Sequence, residues 1–364
     1  MVVIAVIAIL FSILLPSLRA ARDQARMSLC AQRLRDFGTG LAGYTAENAD
    51  YLPGVNTSGV AVSTLELLWA TDPSVLYRAN LPVQSWDWMT PILAPQMALP
   101  TVRAEKWKFL LGDLRCPAER NTSMMYHEMP HPDPDYPPLV PPDVDVMVRH
   151  APFPTVSWLM PAAFQFFGND YHNRVLGLKE HPVIKDERVY AKRAGAYFTC
   201  HSSDYFPRLD RVGPPARKVF VADGMRYCTL IGDRQLLDFD TYPHQDHRRF
   251  FFGSFSSAGA WWTGSTAYGV SGASLTWDGD IVDRGSKAQG LNLSLSYRHG
   301  ARGPTQSGAA QDNPGMINAV FFDGHVERMG DRRSRDITLW YPTGTVVDEL
   351  PQGMTRVPPG FVIP

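Results

Sequence analysis

The residues with the plainest chemical potential lie near the C-terminal end. There "SYRHG" supplies His299, and "INAVFFDGHVERM" supplies Asn318, Asp323, Gly324 and His325. Two imidazoles and a carboxylate are a donor set for a small metal or ligand site. Calcium fits poorly, because it takes oxygen ligands and two of the three side chains offer nitrogen. The same stretch also reads as a turn, since an apolar run meets Asp-Gly and resumes with alternating polar residues. In a turn Asp323 accepts backbone hydrogen bonds, with His299 or His325 orienting it. The turn reading carries the greater weight, and no metal is expected.

Other constellations are weaker. The four cysteines, Cys30, Cys116, Cys200 and Cys228, contain no C-x-x-C pair, which argues against a zinc ribbon or a thioredoxin-type site. They are also too few for a disulfide scaffold. His244 and His247 in "HQDH" lack the glutamate of a zinc protease, and His127, His131 and His150 have no metal-ligand spacing. "LRCPAE" (residues 114–119) is near a sulfatase signature, but Pro117 follows Cys116 directly, one place too early for a formylglycine nucleophile. Trp261 and Trp262 in "AGAWWTGSTAYG" are candidate stacking aromatics for a sugar, although such loops more often pack. There is no glycine-rich phosphate loop and no G-x-S-x-G elbow. No catalytic residue and no cofactor are assigned. A formal net charge of −1 gives no basic field for nucleic acid.

The elements that must carry these residues differ between the two halves. The composition is globular, with 45% hydrophobic and 20% charged residues. Thirty prolines and 29 glycines favour loops and strands over a helical bundle. "RKVFVADGMRYCTLI", "SLTWDGDIVDRG" and "INAVFFDGHVERM" each flank Asp-Gly with apolar or alternating residues. Each predicts a hairpin with a type I′ turn, and together they predict a mainly antiparallel sheet. Short helices are expected near 63–68 and 88–93, and Trp69, Trp86, Trp88 and Trp107 are expected in core or interface. Residues 130–154 hold nine prolines and read as an extended loop or an internal boundary.

The N-terminal region reads as one long helix. Residues 1–15 are apolar and uncharged, a span of ~22 Å against a hydrocarbon core of ~30 Å. No basic residue precedes them. Signal peptide, short anchor and a segment beginning upstream all compete, and the upstream start accounts for both the short span and the missing basic flank. After Pro16, which should bend the helix without ending it, Leu18, Ala21, Ala25, Leu29, Leu34, Phe37, Leu41 and Tyr44 recur at near-helical spacing. Arg19, Arg22, Arg26, Arg33 and Arg35 supply the solvated face.

On the Val-Val-Ile-Ala core, Pro16, the Ala-Arg run, Cys30 with Gln32-Arg33-Leu34, and the Tyr44-to-Pro53 exit, the chain resembles type IV pilin-like proteins and type II secretion pseudopilins. More narrowly it resembles the prepilin-type cleavage and methylation family with a C-terminal His-to-Asp-Gly motif. Cys116-Pro117 matches that family's Cys-Pro element, and His299, Asn318, Asp323, Gly324 and His325 match the C-terminal motif. Here 23 residues (300–322) separate the histidine from Asp-Gly, a longer gap than the family's, as expected of a loop inserted between two strands.

The resemblance implies an α+β fold. Its parts are a membrane segment over 1–16, an amphipathic continuation over 17–50, and an extracytoplasmic globular domain over 51–364 with a mainly antiparallel sheet and long loops. It implies a minor or specialised subunit of a type II secretion or type IV pilus-like filament, anchored in the inner membrane. The partners would be the membrane, other pilin-like subunits, an assembly apparatus and, given an upstream start, a prepilin peptidase. In an oxidising compartment disulfides become permissible, Cys30 with Cys116 first and Cys200 with Cys228 second. The rivals are a pilin-helix-anchored binding module using Trp261 and Trp262, and, ranked last, an anchored hydrolase.

Overall fold

One helix dominates: α1 spans Val2–Glu47, 46 residues, and runs through Pro16 without a break. At 1.5 Å per residue it is ~69 Å long. Ser12 and Ser17, on either side of Pro16, donate their hydroxyls to the carbonyl oxygens of Ile9 and Leu14. Their polar groups are therefore satisfied within the helix, as an apolar surrounding requires. The helix ends where Ala49 and Asp50 take left-handed backbone, with φ of 52° and 65°, and the Asp50 N–H donates back to the Thr45 carbonyl.

The computed structural model describes residues 2–53, 87–101, 103–119, 122–125, 153–154, 157–161, 164–165, 199–200, 205–224, 229–231, 234–237, 256–257, 295–300, 315–334, 336–347 and 360–364.

The two halves of α1 have different surroundings. From Val3 to Leu15 the apolar side chains are exposed on all sides, and the helix is long and apolar enough to cross a membrane. Burial begins at Met27 and continues through Cys30, Leu34, Phe37, Leu41 and Tyr44. The expected stripe is therefore correct from Leu34 onward and displaced before it. Leu18 and Leu29 are exposed, as are Ala21 and Ala25. Helical periodicity identifies a buried face only where a body lies beneath it, and here the body begins one turn before Cys30.

Two short helices follow: α2 (Met89–Leu93) beside α1, and α3 (Arg103–Lys108), continued by a π-turn over Phe109–Asp113. The strands in chain order are β1 (Thr122–Met125), β2 (Phe153–Pro154), β3 (Trp158–Pro161), β4 (Thr199–Cys200), β5 (Val219–Asp223), β6 (Thr229–Ile231), β7 (Arg234–Leu237), β8 (Ser256–Ser257), β9 (His299–Gly300), β10 (Gly315–Phe321), β11 (Val326–Gly330), β12 (Val346–Val347) and β13 (Phe361–Val362). The main sheet has the order β11-β10-β5-β3-β8, with β9 also on β10, and is antiparallel apart from β3 with β8. Two smaller sheets, β2-β1-β7-β6 and β13-β12-β4, complete the described strands. The fold is thus α+β, with a long N-terminal helix and an antiparallel sheet.

Strand β10 is buried on both faces, which explains its nearly unbroken apolar sequence. Val320 lies under α1 in a core that includes Phe37, Trp88, Trp158, Phe220 and Phe322. Their rings meet edge to face, Phe37 with Trp88 at 5.2 Å and with Trp158 at 5.8 Å between centroids. Ile317, Ala319 and Phe321 join a second core with Leu339, Trp340, Tyr341 and Ile363.

The β10–β11 hairpin turns at Asp323-Gly324, but not through type I′ geometry. Gly324 N–H donates to the Phe321 carbonyl and Phe321 N–H to the His325 carbonyl, while only Gly324 has positive φ, at 88°. This is a three-residue loop, a type I turn closed by a glycine bulge. A Cβ on Gly38 of α1 would come within 3.1 Å of Gly324 Cα, so the helix lies directly against this turn.

The Asp-Gly at Asp223-Gly224 is not a hairpin turn. Strand β5 pairs with β10 and β3, whereas β6 pairs with β7 in another sheet. The Asp278-Gly279 segment, the helix expected near 63–68, and the side chains of Trp69, Trp86 and Trp107 lie outside the described residues, as does the proline-rich run apart from β2.

Candidate functional site

Four side chains (Cys30, Cys116, Asp223 and His299) and the backbone of Asn318, from five parts of the chain, meet where α1 crosses β10. Along one edge of β10 the ladder passes from β9, paired at residues 315 and 316, to β5, paired from residue 319. Asn318 falls between them. Its N–H donates to Asp223 Oδ2 at 2.7 Å, so a side chain at the end of β5 takes the place of a strand carbonyl. His299 on β9 brings Nε2 to 3.1 Å from the same oxygen.

The imidazole also faces sulfur. Nε2 lies 3.6 Å from Cys116 Sγ, and Cys116 is disulfide-bonded to Cys30 of α1 across a sequence separation of 86. A disulfide sulfur has no hydrogen, so in that contact Nε2 must be the donor. Cys30, Cys116 and Asp223 are completely buried, and His299 and Asn318 nearly so. Asp223 Oδ1 and Asn318 Nδ2 are buried as well and make no hydrogen bond among the described residues.

The loop carrying Cys116 is fixed twice more. The Glu119 N–H donates to the Cys116 carbonyl, and the Glu119 carboxylate lies 3.1 Å from Arg298 Nη2, with both side chains fully buried. Arg298 Nη2 donates to the Gly224 carbonyl at 2.6 Å, and Nε to Ser296 Oγ at 3.1 Å. An ion pair of this kind costs much to bury and much to break. The Cys116-Pro117 element therefore joins helix, loop and sheet by one covalent bond and one buried pair.

The C-terminal motif is divided between two places. His299 and Asn318 belong to the buried cluster. Asp323 and His325 sit at the hairpin turn, at the other end of β10, ~20 Å away by strand rise. There Asp323 Oδ1 lies 2.6 Å from His325 Nδ1 and also accepts the His325 N–H at 3.1 Å, and the imidazole stacks on Phe321. Asp323, His299 and His325 thus do not share one ligand set. Trp261, Trp262, Cys228 and the side chain of Cys200 lie outside the described residues, as do His127, His131, His150, His244 and His247.

Lys218 is a further buried charge. Its Nζ donates to the carbonyl oxygens of Thr338 and Pro364 at 2.9 and 3.1 Å. Burial lowers its pKa to about 8, Arg217 pushes the same way, and Asp336 opposes them. Tyr205 is pushed up by burial, and its hydroxyl donates to the Phe164 carbonyl. Residue types did not single out Asp223, Glu119, Arg298 or Lys218, because each acquires its role only from partners remote in sequence.

In its disulfide form the cluster offers no free nucleophile and no exposed polar atom, so it works as a fastening between α1 and the sheet. Comparisons of the chain with protein-family models, with curated proteins and with solved structures found no match.

Proposed function

We propose that the chain is a membrane-anchored, pilin- or pseudopilin-like subunit, a minor or specialised component of a type II secretion or type IV pilus-like filament. The observation that carries this reading is the division of α1: an apolar first third exposed on every side, and a stretch from Met27 onward stapled to an α+β body. A helix that is apolar all round needs lipid or other apolar helices around it. In the membrane lipid meets that need; in a filament the same segments of neighbouring subunits would replace it. The Cys30–Cys116 bond lies one turn inside the point where α1 reaches the body, so tension on the helix would pass into the sheet through a covalent link. A disulfide there also favours a body outside the cytoplasm, where such bonds persist. The reading assigns no catalytic step. Its partners are the membrane, other pilin-like subunits, an assembly apparatus and, where a leader precedes this segment, a prepilin peptidase.

The test is the mass of the N-terminal peptide of the protein taken from native membranes. A processed amino terminus carrying one methyl group is the expected result. An unmethylated terminus at Met1 in membrane-inserted protein would sink the reading and leave an anchored binding module in its place.

A further inference from the structure

We propose that, with the Cys30–Cys116 bond reduced, the two sulfurs, His299 Nε2 and the Asp223 carboxylate form a four-coordinate site for a divalent cation of the zinc class. The proposal is independent of the filament reading. The ligand atoms of Cys30, Cys116 and His299 already lie within 4.8 Å of one another, and all three residues are buried. Zinc takes sulfur at about 2.3 Å and nitrogen at about 2.1 Å, which in a tetrahedron places those two ligands about 3.6 Å apart. The Cys116 Sγ to His299 Nε2 distance is 3.6 Å. A nitrogen–oxygen edge would be about 3.4 Å, close to the 3.1 Å from Nε2 to Asp223 Oδ2. The two sulfurs must move apart, to about 3.8 Å, and a Cα–Cα separation of 5.3 Å leaves their side chains room to do so. The Asp223 carboxylate, which lies outside the 4.8 Å group formed by the other three ligand atoms, must turn toward the sulfurs to complete the tetrahedron.

A second observation points the same way. Asp223 Oδ1 is buried and accepts no hydrogen bond among the described residues, so the carboxylate can coordinate through either oxygen while Oδ2 keeps the Asn318 N–H. A carboxylate, two thiolates and a neutral imidazole make a donor set suited to zinc and unsuited to calcium or magnesium.

The chemistry balances. A dithiol reductant gives up two electrons and two protons, becoming a cyclic disulfide, and leaves Cys30 and Cys116 as thiols. A chain not yet oxidised holds them in the same state. Cation binding then releases the two thiol protons, and the Nε2 proton moves to Nδ1 so that Nε2 can coordinate. Metal and disulfide compete for the same sulfurs. Either one ties Cys30 on α1 to Cys116, so the helix stays fastened to the body under reducing and oxidising conditions alike.

The experiment uses the full chain in detergent with Cys200→Ser and Cys228→Ser, so that thiolate signals can come only from Cys30 and Cys116. The protein is reduced with a phosphine and titrated with cobalt(II). The expected result is one equivalent bound, with thiolate charge-transfer absorption and the intense visible bands of four-coordinate cobalt, displaced by zinc. His299→Gln and Asp223→Asn should each weaken binding by at least ~10-fold. The proposal is overturned if the reduced protein shows no charge-transfer band, or if His299→Gln and Asp223→Asn both leave the cobalt affinity unchanged. Equal cobalt affinity in the oxidised protein would also overturn it. Oxidised and reduced forms of the same chain decide the matter even where a ligand variant fails to fold.

Discussion

Two histidine–aspartate contacts mark the two ends of β10, and they have little else in common. At the turn, His325 and Asp323 are two residues apart, 2.6 Å from each other and partly exposed, at 44% and 36%. At the start of the strand, His299 and Asp223 are 3.1 Å apart and essentially inaccessible, at 1% and 0%. Water solvates the first pair whether or not it forms, so its contribution is small. The second pair has no water to return to. Removing one partner would leave the other buried without compensation, and the Asn318 N–H would lose its acceptor. The same two side-chain types are therefore an ornament of a turn in one place and a structural necessity in the other.

The sharpest way to break this comparison is to remove each carboxylate in turn. Asp223→Ala should cost ~3–5 kcal/mol, the range for breaking a buried pair, whereas Asp323→Ala should cost under ~1 kcal/mol. Urea unfolding of the oxidised chain in detergent, followed by the fluorescence of the buried tryptophans Trp88, Trp158 and Trp340, measures both. Similar losses at the two sites would mean that burial does not separate them.

Lys218 extends the test to a buried cation. Its folded pKa of about 8 lies below the ordinary value of 10.5. Below pH 8 both folded and unfolded chains carry the proton, and the folded state bears the full cost of burying the charge. Between pH 8 and 10.5 the unfolded chain binds more protons, so stability rises with pH. The gain across that window is at most ~3.4 kcal/mol, at ~1.36 kcal/mol for each pH unit between the two values, and solvent screening reduces it. Lys218→Met should abolish the rise. Unfolding of the disulfide-locked chain at several pH values, with free thiols blocked, would detect it, and a flat profile in the parent protein would refute it.

How much of this was legible before the structure depends on how local each signal is. The long helix and the Asp323-Gly324 hairpin are visible because their periodicities and turn residues lie within a few positions of one another. The same dipeptide misled at Asp223-Gly224, since the local rule does not say which strands will pair, and there the aspartate ends a central strand instead of turning it. The apolar positions from Leu18 to Leu29 misled for a related reason: spacing shows a face, but not whether anything covers it. The Cys30–Cys116 pairing was reached only through the family resemblance, because spacing alone leaves the pairing of four cysteines open. The buried Glu119–Arg298 pair and the carboxylate completing the β10 ladder carry no local signature at all. They are produced by the order in which β9 and β5 succeed each other along one strand edge.

The turn itself yields a smaller and more selective effect. Gly324 has φ of 88°, and a Cβ there would meet nothing within 4 Å. Substitution is therefore limited by backbone conformation and not by space. Gly324→Ala should cost ~1–2 kcal/mol for forcing a side chain into the left-handed region. Gly324→Asn should recover part of that loss, because asparagine tolerates this conformation. If alanine and asparagine are equally disruptive in thermal unfolding, then contact with α1 at Gly38, and not φ, sets the requirement for glycine.

The smallest expected effect is the coupling between Asp323 and His325. A double-mutant cycle on this pair should give under ~1 kcal/mol, the range of an exposed contact. The stacking of His325 on Phe321 gives a reason why the coupling need not vanish: the ring centroids are 4.2 Å apart and nearly parallel, at 14°. Truncating His325 removes that contact as well as the one with the carboxylate, whereas Asp323→Ala loses the carboxylate contact and the acceptor of the His325 N–H, so the two costs should be similar and small. His325→Phe separates the contributions, keeping an aromatic ring on Phe321 while deleting the nitrogen that faces Asp323. A variant as stable as the parent would place the value of this residue in its ring; one as weak as His325→Ala would place it in the contact with the carboxylate.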